Sequence, residues 1–214
     1  MSVLELISPE QQEGGTIEGV AVGIVTDNKD PDGLGRVKVK FPWRENSRES
    51  TWARVVTIGA GKDRGFYWVP EVNDEVLLLA DKKDIQHLFV IGSLWNGQDK
   101  PPANNSDNEN NTRLVKSRSG NEIRIYDKQG QSKIQLKTAN NSTITIDDQN
   151  GTIEMADRGG SNKVTIDINQ SGITIQSGTS LTLKSQSISI EAGTSLKLTA
   201  SGAVTVQGNP IMLN

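Results

Sequence analysis

The sequence predicts an all-β chain in two parts, an N-terminal barrel and a C-terminal intertwined trimeric β-helix needle. Three observations predict it. Short runs before residue 97 alternate apolar and polar residues at period two, and no run there has a convincing helical period. Pairs of aliphatic residues two apart recur from Ile123 to Leu213, which is an internal repeat. Hydrophobic residues are 34% of the 214, below the roughly 45–50% apolar content of globular domains even when Gly is counted in, so material for one thick core is missing.

Residues 1–16 form an N-terminal arm ahead of the first alternating run, Ile17 to Val25. Asp30-Pro31-Asp32-Gly33 supplies a turn, and Gly35–Phe41 alternates again. Trp52–Ile58, Glu75–Ala80 and Leu88–Gly92 follow as further strands, separated by Gly59-Ala60-Gly61 and Val69-Pro70-Glu71. Five strands in so short a stretch suggest a small closed barrel of the oligonucleotide/oligosaccharide-binding (OB) type over residues 17–97, with a short sandwich as the alternative. Every aromatic residue except Tyr126 precedes residue 96, so the two parts must build their cores differently. Between them, residues 98–112 are Asn-rich and nearly free of apolar side chains, as a solvated linker is. Asn110-Asn111-Thr112 matches a glycosylation pattern there, and an Asn-rich stretch produces such matches by chance.

From residue 113 to 214 the aliphatic pairs are Ile123/Ile125, Ile134/Leu136, Ile144/Ile146, Ile153/Met155, Val164/Ile166, Ile173/Ile175, Leu181/Leu183, Ile188/Ile190, Leu196/Leu198, Val204/Val206 and Ile211/Leu213. Steps between first members are 11, 10, 9, 11, 9, 8, 7, 8, 8 and 7, contracting toward an octad. Gly172, Gly178, Gly193, Gly202 and Gly208 fall between pairs, as sharp corners require. Burying two aliphatic side chains does not repay the backbone entropy of an eight-residue repeat. One chain with one short strand per repeat also cannot wall a core on every side. Three chains wound about a common axis, each giving one strand per face in turn, solve both problems. The inward side chains of that trimer core are then Ile123, Ile125, Ile134, Leu136, Ile144, Ile146, Ile173, Ile175, Leu181, Leu183, Ile188, Ile190, Leu196, Leu198, Val204 and Val206. With strands stacked about 4.8 Å apart, the repeats make a needle roughly 50 Å long. Charges thin out along it: from Ile168 onward only Lys184, Glu191 and Lys197 remain. A β-rich repeat with merely solvated hydroxyls is the alternative there.

Composition excludes several function classes. No Cys and a single His87 remove structural disulfides, thiolate metal sites and His-rich metal centres within one chain. The net charge of -3 opposes general nucleic-acid binding, and residues 1–112 hold 12 Lys+Arg against 18 Asp+Glu. No apolar run approaches a membrane span, and Met1–Ile7 lacks the basic and apolar regions of a signal peptide. Gly59-Ala60-Gly61-Lys62 lacks the glycine spacing and hydroxyl residue of a phosphate loop. His87, after Asp81-Lys82-Lys83-Asp84, reads as a solvated hairpin-loop residue. Arg36 and Arg54 are expected to pair with acids such as Asp32 or Glu75, and Trp43, Trp52, Phe66, Tyr67 and Trp68 to serve core and inter-subunit packing. No catalytic, cofactor-binding or metal-ligating residues are assigned.

One long ordered stretch resembles a known family. It runs Asp30-Pro31-Asp32-Gly33-Leu34-Gly35-Arg36-Val37-Lys38-Val39-Lys40-Phe41-Pro42-Trp43, then Ser50-Thr51-Trp52-Ala53-Arg54-Val55, then Ala60–Val76 with Gly65-Phe66-Tyr67-Trp68-Val69-Pro70-Glu71, then Ile91-Gly92-Ser93-Leu94-Trp95-Asn96-Gly97. It is similar to the central spike of contractile injection systems: the baseplate assembly protein V family of phage tails and the spike part of VgrG proteins. The octad tail resembles that family's needle. The resemblance implies a homotrimer on a trimeric hub at the end of an inner tube, driven mechanically through a target membrane, with no enzymatic activity. Since about sixteen residues precede the barrel, a separate hub protein is expected. Segment 96–112 is too short for an inserted muramidase. The resemblance also implies a PAAR-type (proline-alanine-alanine-arginine repeat) tip protein docked on Pro210, Ile211, Met212 and Leu213, and a protein made in the bacterial cytoplasm and assembled into a phage tail-like particle. Phage tail, type VI system and extracellular injector stay open. The rival reading is an OB-fold module binding a glycan or single-stranded nucleic acid on a trimeric stalk.

Overall fold

Alternation at period two sends every second side chain of Val20–Asp27 and Glu75–Asp81 to one side, and of those side chains Val25, Val76 and Leu78 are fully buried. They belong to the first of two compact units, Met1–Asn104 and Asn105–Asn214. The computed structural model describes residues 17–44 and 49–212; the expected N-terminal arm 1–16 and Leu213 lie outside them. No helix is assigned among the described residues.

The first unit carries β1 (Val20–Asp27), β2 (Lys38–Lys40), β3 (Arg54–Val55), β4 (Ala60–Gly61), β5 (Arg64–Gly65), β6 (Glu75–Asp81) and β7 (Asp84–Ser93). Five of these form one sheet in the order β2-β1-β6-β7-β3. Neighbours are antiparallel except β3 and β7, which run parallel through Arg54↔Phe89 and Val55↔Val90. A bridge between Val37 and Ala53 joins the two ends of that order, with N–H donated each way at 3.0 and 2.8 Å. The ring is thereby closed, and it is an OB barrel rather than a sandwich. Register shifts between Val25 and Asp27, and between Leu77 and Leu78, supply the bulges that let so few strands coil. Gly23 permits close packing on β1: a Cβ there would stand 2.6 Å from Leu78 Cδ1 and 3.3 Å from Val39 Cβ.

The barrel core is aliphatic. Ile17, Val25, Val37, Val39, Phe41, Ala53, Val76, Leu78, Leu88 and Val90 fill it, with Phe41 its one aromatic. Trp43, Phe66, Tyr67 and Trp68 are exposed and Trp52 is half-buried, so none of the five aromatics expected to serve core and inter-subunit packing is in the barrel core. Lys82 and Lys83, both with positive φ (50° and 69°), make a tight reversal between β6 and β7. His87 therefore sits on strand β7 and not in the loop, exposed, with Nδ1 2.8 Å from Asp84 Oδ2. Gly59-Ala60-Gly61, read as a separator, contributes β4 to a two-stranded hairpin with β5.

The second unit is a meander: β8 (Thr112–Lys116), β9 (Glu122–Tyr126), β10 (Lys133–Lys137), β11 (Thr143–Asp147), β12 (Thr152–Ala156), β13 (Lys163–Asp167) and β14 (Gly172–Gln176). Each pairs antiparallel with the next in one seven-stranded sheet. The sequence reading gave each repeat in turn to a different face. Between Thr112 and Gln176 the chain instead reverses on itself, because every connecting turn contains a left-handed residue: Gly120, Gly130, Asn141, Gly151, Gly160 and Ser171. After Gln176 no described residue lies in a strand.

Candidate assembly surfaces

On the barrel, the loop between β1 and β2 is organised by one carboxylate. Asp30, whose side chain is 3% exposed, accepts from Arg36 Nε at 2.8 Å and Nη2 at 2.7 Å. It also accepts backbone N–H groups of Asp32, Leu34 and Arg36 at 3.0–3.2 Å. Gly33 and Gly35, at φ 67° and 70°, bend the chain so that these donors converge. The Arg36 side-chain bonds, foremost, and the backbone donors hold the Asp30 carboxyl well below the ordinary carboxylate range. Arg36 also pairs with Asp32, as expected; that Asp30 is the main partner was missed, although the Asx-turn pattern Asp-Pro-Asp-Gly signals it. Arg54 departs from expectation, its guanidinium lying 5.6 Å over the Phe89 ring, while Glu75 accepts from Asn96 Nδ2 at 3.2 Å.

Four of the barrel's exposed apolar side chains, Val56, Ile58, Phe66 and Trp68, line a groove of about 190 Å³ together with Pro70 and Val90, among others. Phe66 and Trp68, two apart, point the same way and stack with ring centroids 6.2 Å apart and planes 17° apart. Ile58 is 91% exposed. The hairpin from Ile58 to Trp68 is exposed throughout, with Lys62 and Asp63 at its turn. Ile58 was not singled out from the sequence, because an alternating strand gives no sign of which face is left uncovered.

In the second unit, register turns the aliphatic pairs into two continuous ladders. One runs Val115, Ile123, Leu136, Ile144, Met155, Val164, Ile175 across the sheet. The other runs Arg113, Ile125, Ile134, Ile146, Ile153, Ile166, Ile173. Successive members are Cα partners, so all lie on one face. That face has no cover in a single chain: Ile134 is 47% and Ile173 72% exposed. All the expected core residues from Ile123 to Ile175 are on it. Arg113 is the one polar member, on the edge strand β8, where an inward charge discourages further strand addition.

The opposite face is polar and paired. Glu122, only 10% exposed at its side chain, meets Lys116 at 2.9 Å and Arg124 at 3.1 Å; the Lys116 bond, foremost, lowers its pKa. Asp147 accepts from the Asn150 backbone at 3.0 Å, from Asn150 Nδ2 at 3.1 Å and from Lys133 at 3.2 Å. Its pKa is lowered, chiefly by that backbone donor. These contacts hold the Glu122 and Asp147 carboxylates, nearly buried, between strands.

Beyond the sheet, Leu181, Leu183, Ile188, Ile190, Leu196, Leu198, Val204 and Val206 are all exposed in the single chain. Of the expected tip residues, Pro210, Ile211 and Met212 are exposed, and Leu213 lies outside the described residues. Both surfaces offer apolar area.

A family model described as the type VI secretion system/phage-baseplate injector OB domain matches residues 21–95. The type VI secretion system spike protein VgrG1c of Pseudomonas aeruginosa is 29% identical over 127 residues, covering 54% of this chain and 18% of that protein. VgrG1b of the same organism is 30% identical over 128 residues, 54% of this chain and 17% of that protein. The actin cross-linking toxin VgrG1 of Vibrio cholerae is 28% identical over 136 residues, 60% of this chain and 12% of that protein. The chain thus spans under a fifth of the length of these relatives. With the ring of strands and its parallel β3–β7 pair, these matches identify residues 21–95 as an injector OB domain, and the chain is similar over about half its length to type VI secretion system spike proteins.

Proposed function

We propose that three copies of this chain form the central spike of a contractile injection apparatus, a needle that is driven mechanically through a target membrane and performs no catalysis. The uncovered ladders of β8–β14 carry this reading. A sheet with aliphatic side chains along one whole face is unstable in water. Three such faces turned to a common axis cover one another, while the ion-paired face stays in solvent. The predicted trimer core, from Ile123 to Val206, is then this buried seam.

In this reading residues 17–97 are the barrel, 98–112 a linker and 113–214 the needle. The barrels, with their exposed aromatic groove, dock a separate trimeric hub at the base of the needle and so join it to the inner tube. Pro210, Ile211, Met212 and Leu213 of three copies form an uncharged apolar platform for a PAAR-type tip protein. The protein is made in the bacterial cytoplasm and assembled into a phage tail-like baseplate. Deleting residues 208–214 is expected to abolish co-purification with the tip protein and to leave the assembly otherwise intact. Unchanged co-purification would contradict the docking platform.

The stacked Phe66 and Trp68 favour a second reading, an OB module that holds a glycan or single-stranded nucleic acid in the groove. The acidic balance of residues 1–112 opposes the nucleic acid. A screen of glycans and oligonucleotides against the purified protein separates the readings. Saturable binding lost in Trp68→Ala supports the binding module, and no binding supports the spike.

A further inference from the structure

We infer that the needle holds one tetrahedral oxyanion, phosphate or sulfate, on its axis, gripped by the Arg113 guanidinium of each of three copies. The inference rests on the trimeric spike reading and adds a ligand to its seam.

Register fixes where Arg113 stands. It is the Cα partner of Ile125, which is in turn the partner of Ile134, so it shares the aliphatic face and not the ion-paired one. The acids of strands β8–β14, namely Glu122, Asp147, Glu154 and Asp167, alternate with the ladder members and lie on the other face. Among the described residues no carboxylate pairs with Arg113. Its hydrogen bonds both leave from Nη1 and end on neutral backbone carbonyls, of Asn110 at 2.5 Å and Thr112 at 3.2 Å. Glu109, four residues earlier, is engaged by Lys128 at 3.7 Å and by Asn111 Nδ2 at 2.7 Å. Nε and Nη2 have no acceptor among the described residues and form an unused fork. That edge of a guanidinium is the one that grips two oxygens of a single oxyanion.

Symmetry supplies the rest. The same residue of three copies stands at one level around a three-fold axis, and the neighbours of Arg113 on this face, Val115, Ile123 and Ile125, carry no charge. An arginine is longer than the aliphatic side chains beside it, so its head reaches further toward the axis. Three guanidinium groups turned into an aliphatic seam repel one another and lose solvation unless a counter-charge meets them. An anion on the axis removes both costs. A tetrahedral oxyanion fits the arrangement, because its own three-fold axis aligns with that of the needle and its oxygens meet three forks at once. Chloride has no oxygens for the forks, and a carboxylate has no three-fold axis.

Ion chromatography of the full-length protein tests this. The protein is purified in inorganic phosphate, dialysed exhaustively against Tris chloride, and denatured in acid to release what it retains. The parent is expected to release about one phosphate or sulfate per three chains, and Arg113→Leu and Arg113→Gln to release none. Leu continues the aliphatic ladder, so Arg113→Leu is expected to keep the native mass of the parent. No retained oxyanion in the parent, retention in the variants equal to the parent's, or loss of assembly in Arg113→Leu would each overturn the inference. Native mass of the parent separates this from failure of the spike reading itself: a mass of one chain overturns both, whereas a trimeric mass without a retained oxyanion overturns only the ligand.

Discussion

Asp30 shows how far a single side chain reaches in this fold. It is nearly buried, accepts a forked pair from Arg36, and ties three backbone N–H groups of its own loop. Because its pKa is depressed from 3.8 in the folded state, its contribution is complete above that value and fades as pH falls through and below it. Asp30→Asn is accordingly expected to lower the thermal midpoint of the barrel at pH 7, with the gap to the parent closing below about pH 4; a gap independent of pH would contradict the role assigned to the charge. Gly23 offers a second test, since a side chain there collides with the fully buried Leu78. Gly23→Val should destabilise the barrel by about 1–3 kcal/mol in denaturant titration. The Asp-Pro-Asp-Gly turn made the loop legible in the sequence, but the converging donors were not, because they depend on backbone angles at Gly33 and Gly35. The exposure of Trp68 was equally hidden: an aromatic in an alternating run looks the same whether a core or a partner awaits it.

At the scale of elements, the strands were readable and their partners were not. Alternation marks which residues share a face, as Ile134 and Leu136 do, yet both a reversing meander and a wound needle satisfy that pattern. What distinguishes them is turn geometry, left-handed at Asn141 and Ser171, and non-glycine residues there announce it poorly. The hairpin β4–β5 went unread because two-residue strands carry no alternation. The two faces of the meander make opposite predictions. Ile146→Glu places a carboxylate in the proposed seam and should weaken assembly by about 3–5 kcal/mol per copy. Thr145→Glu, on the paired outer face beside Gln135, should leave assembly unchanged. Sedimentation of the two variants across a dilution series checks both, and equal behaviour would sink the assignment of inner and outer faces.

For the whole molecule, the low hydrophobic content and the repeat lead to the expectation of other chains, and the uncovered ladders of β8–β14 are the face that the proposed trimer would bury. The barrel was legible as OB-like because its ordered motifs extend over most of residues 21–95, whereas the end of the within-chain ladder at Gln176 was not, since it depends on backbone angles in the turns. The mass of the native particle in solution, measured by light scattering on the intact 23.2 kDa chain, tests the account most directly. Three chains per particle is the predicted result; a well-folded particle of one chain, its ladders bare to water, would contradict it.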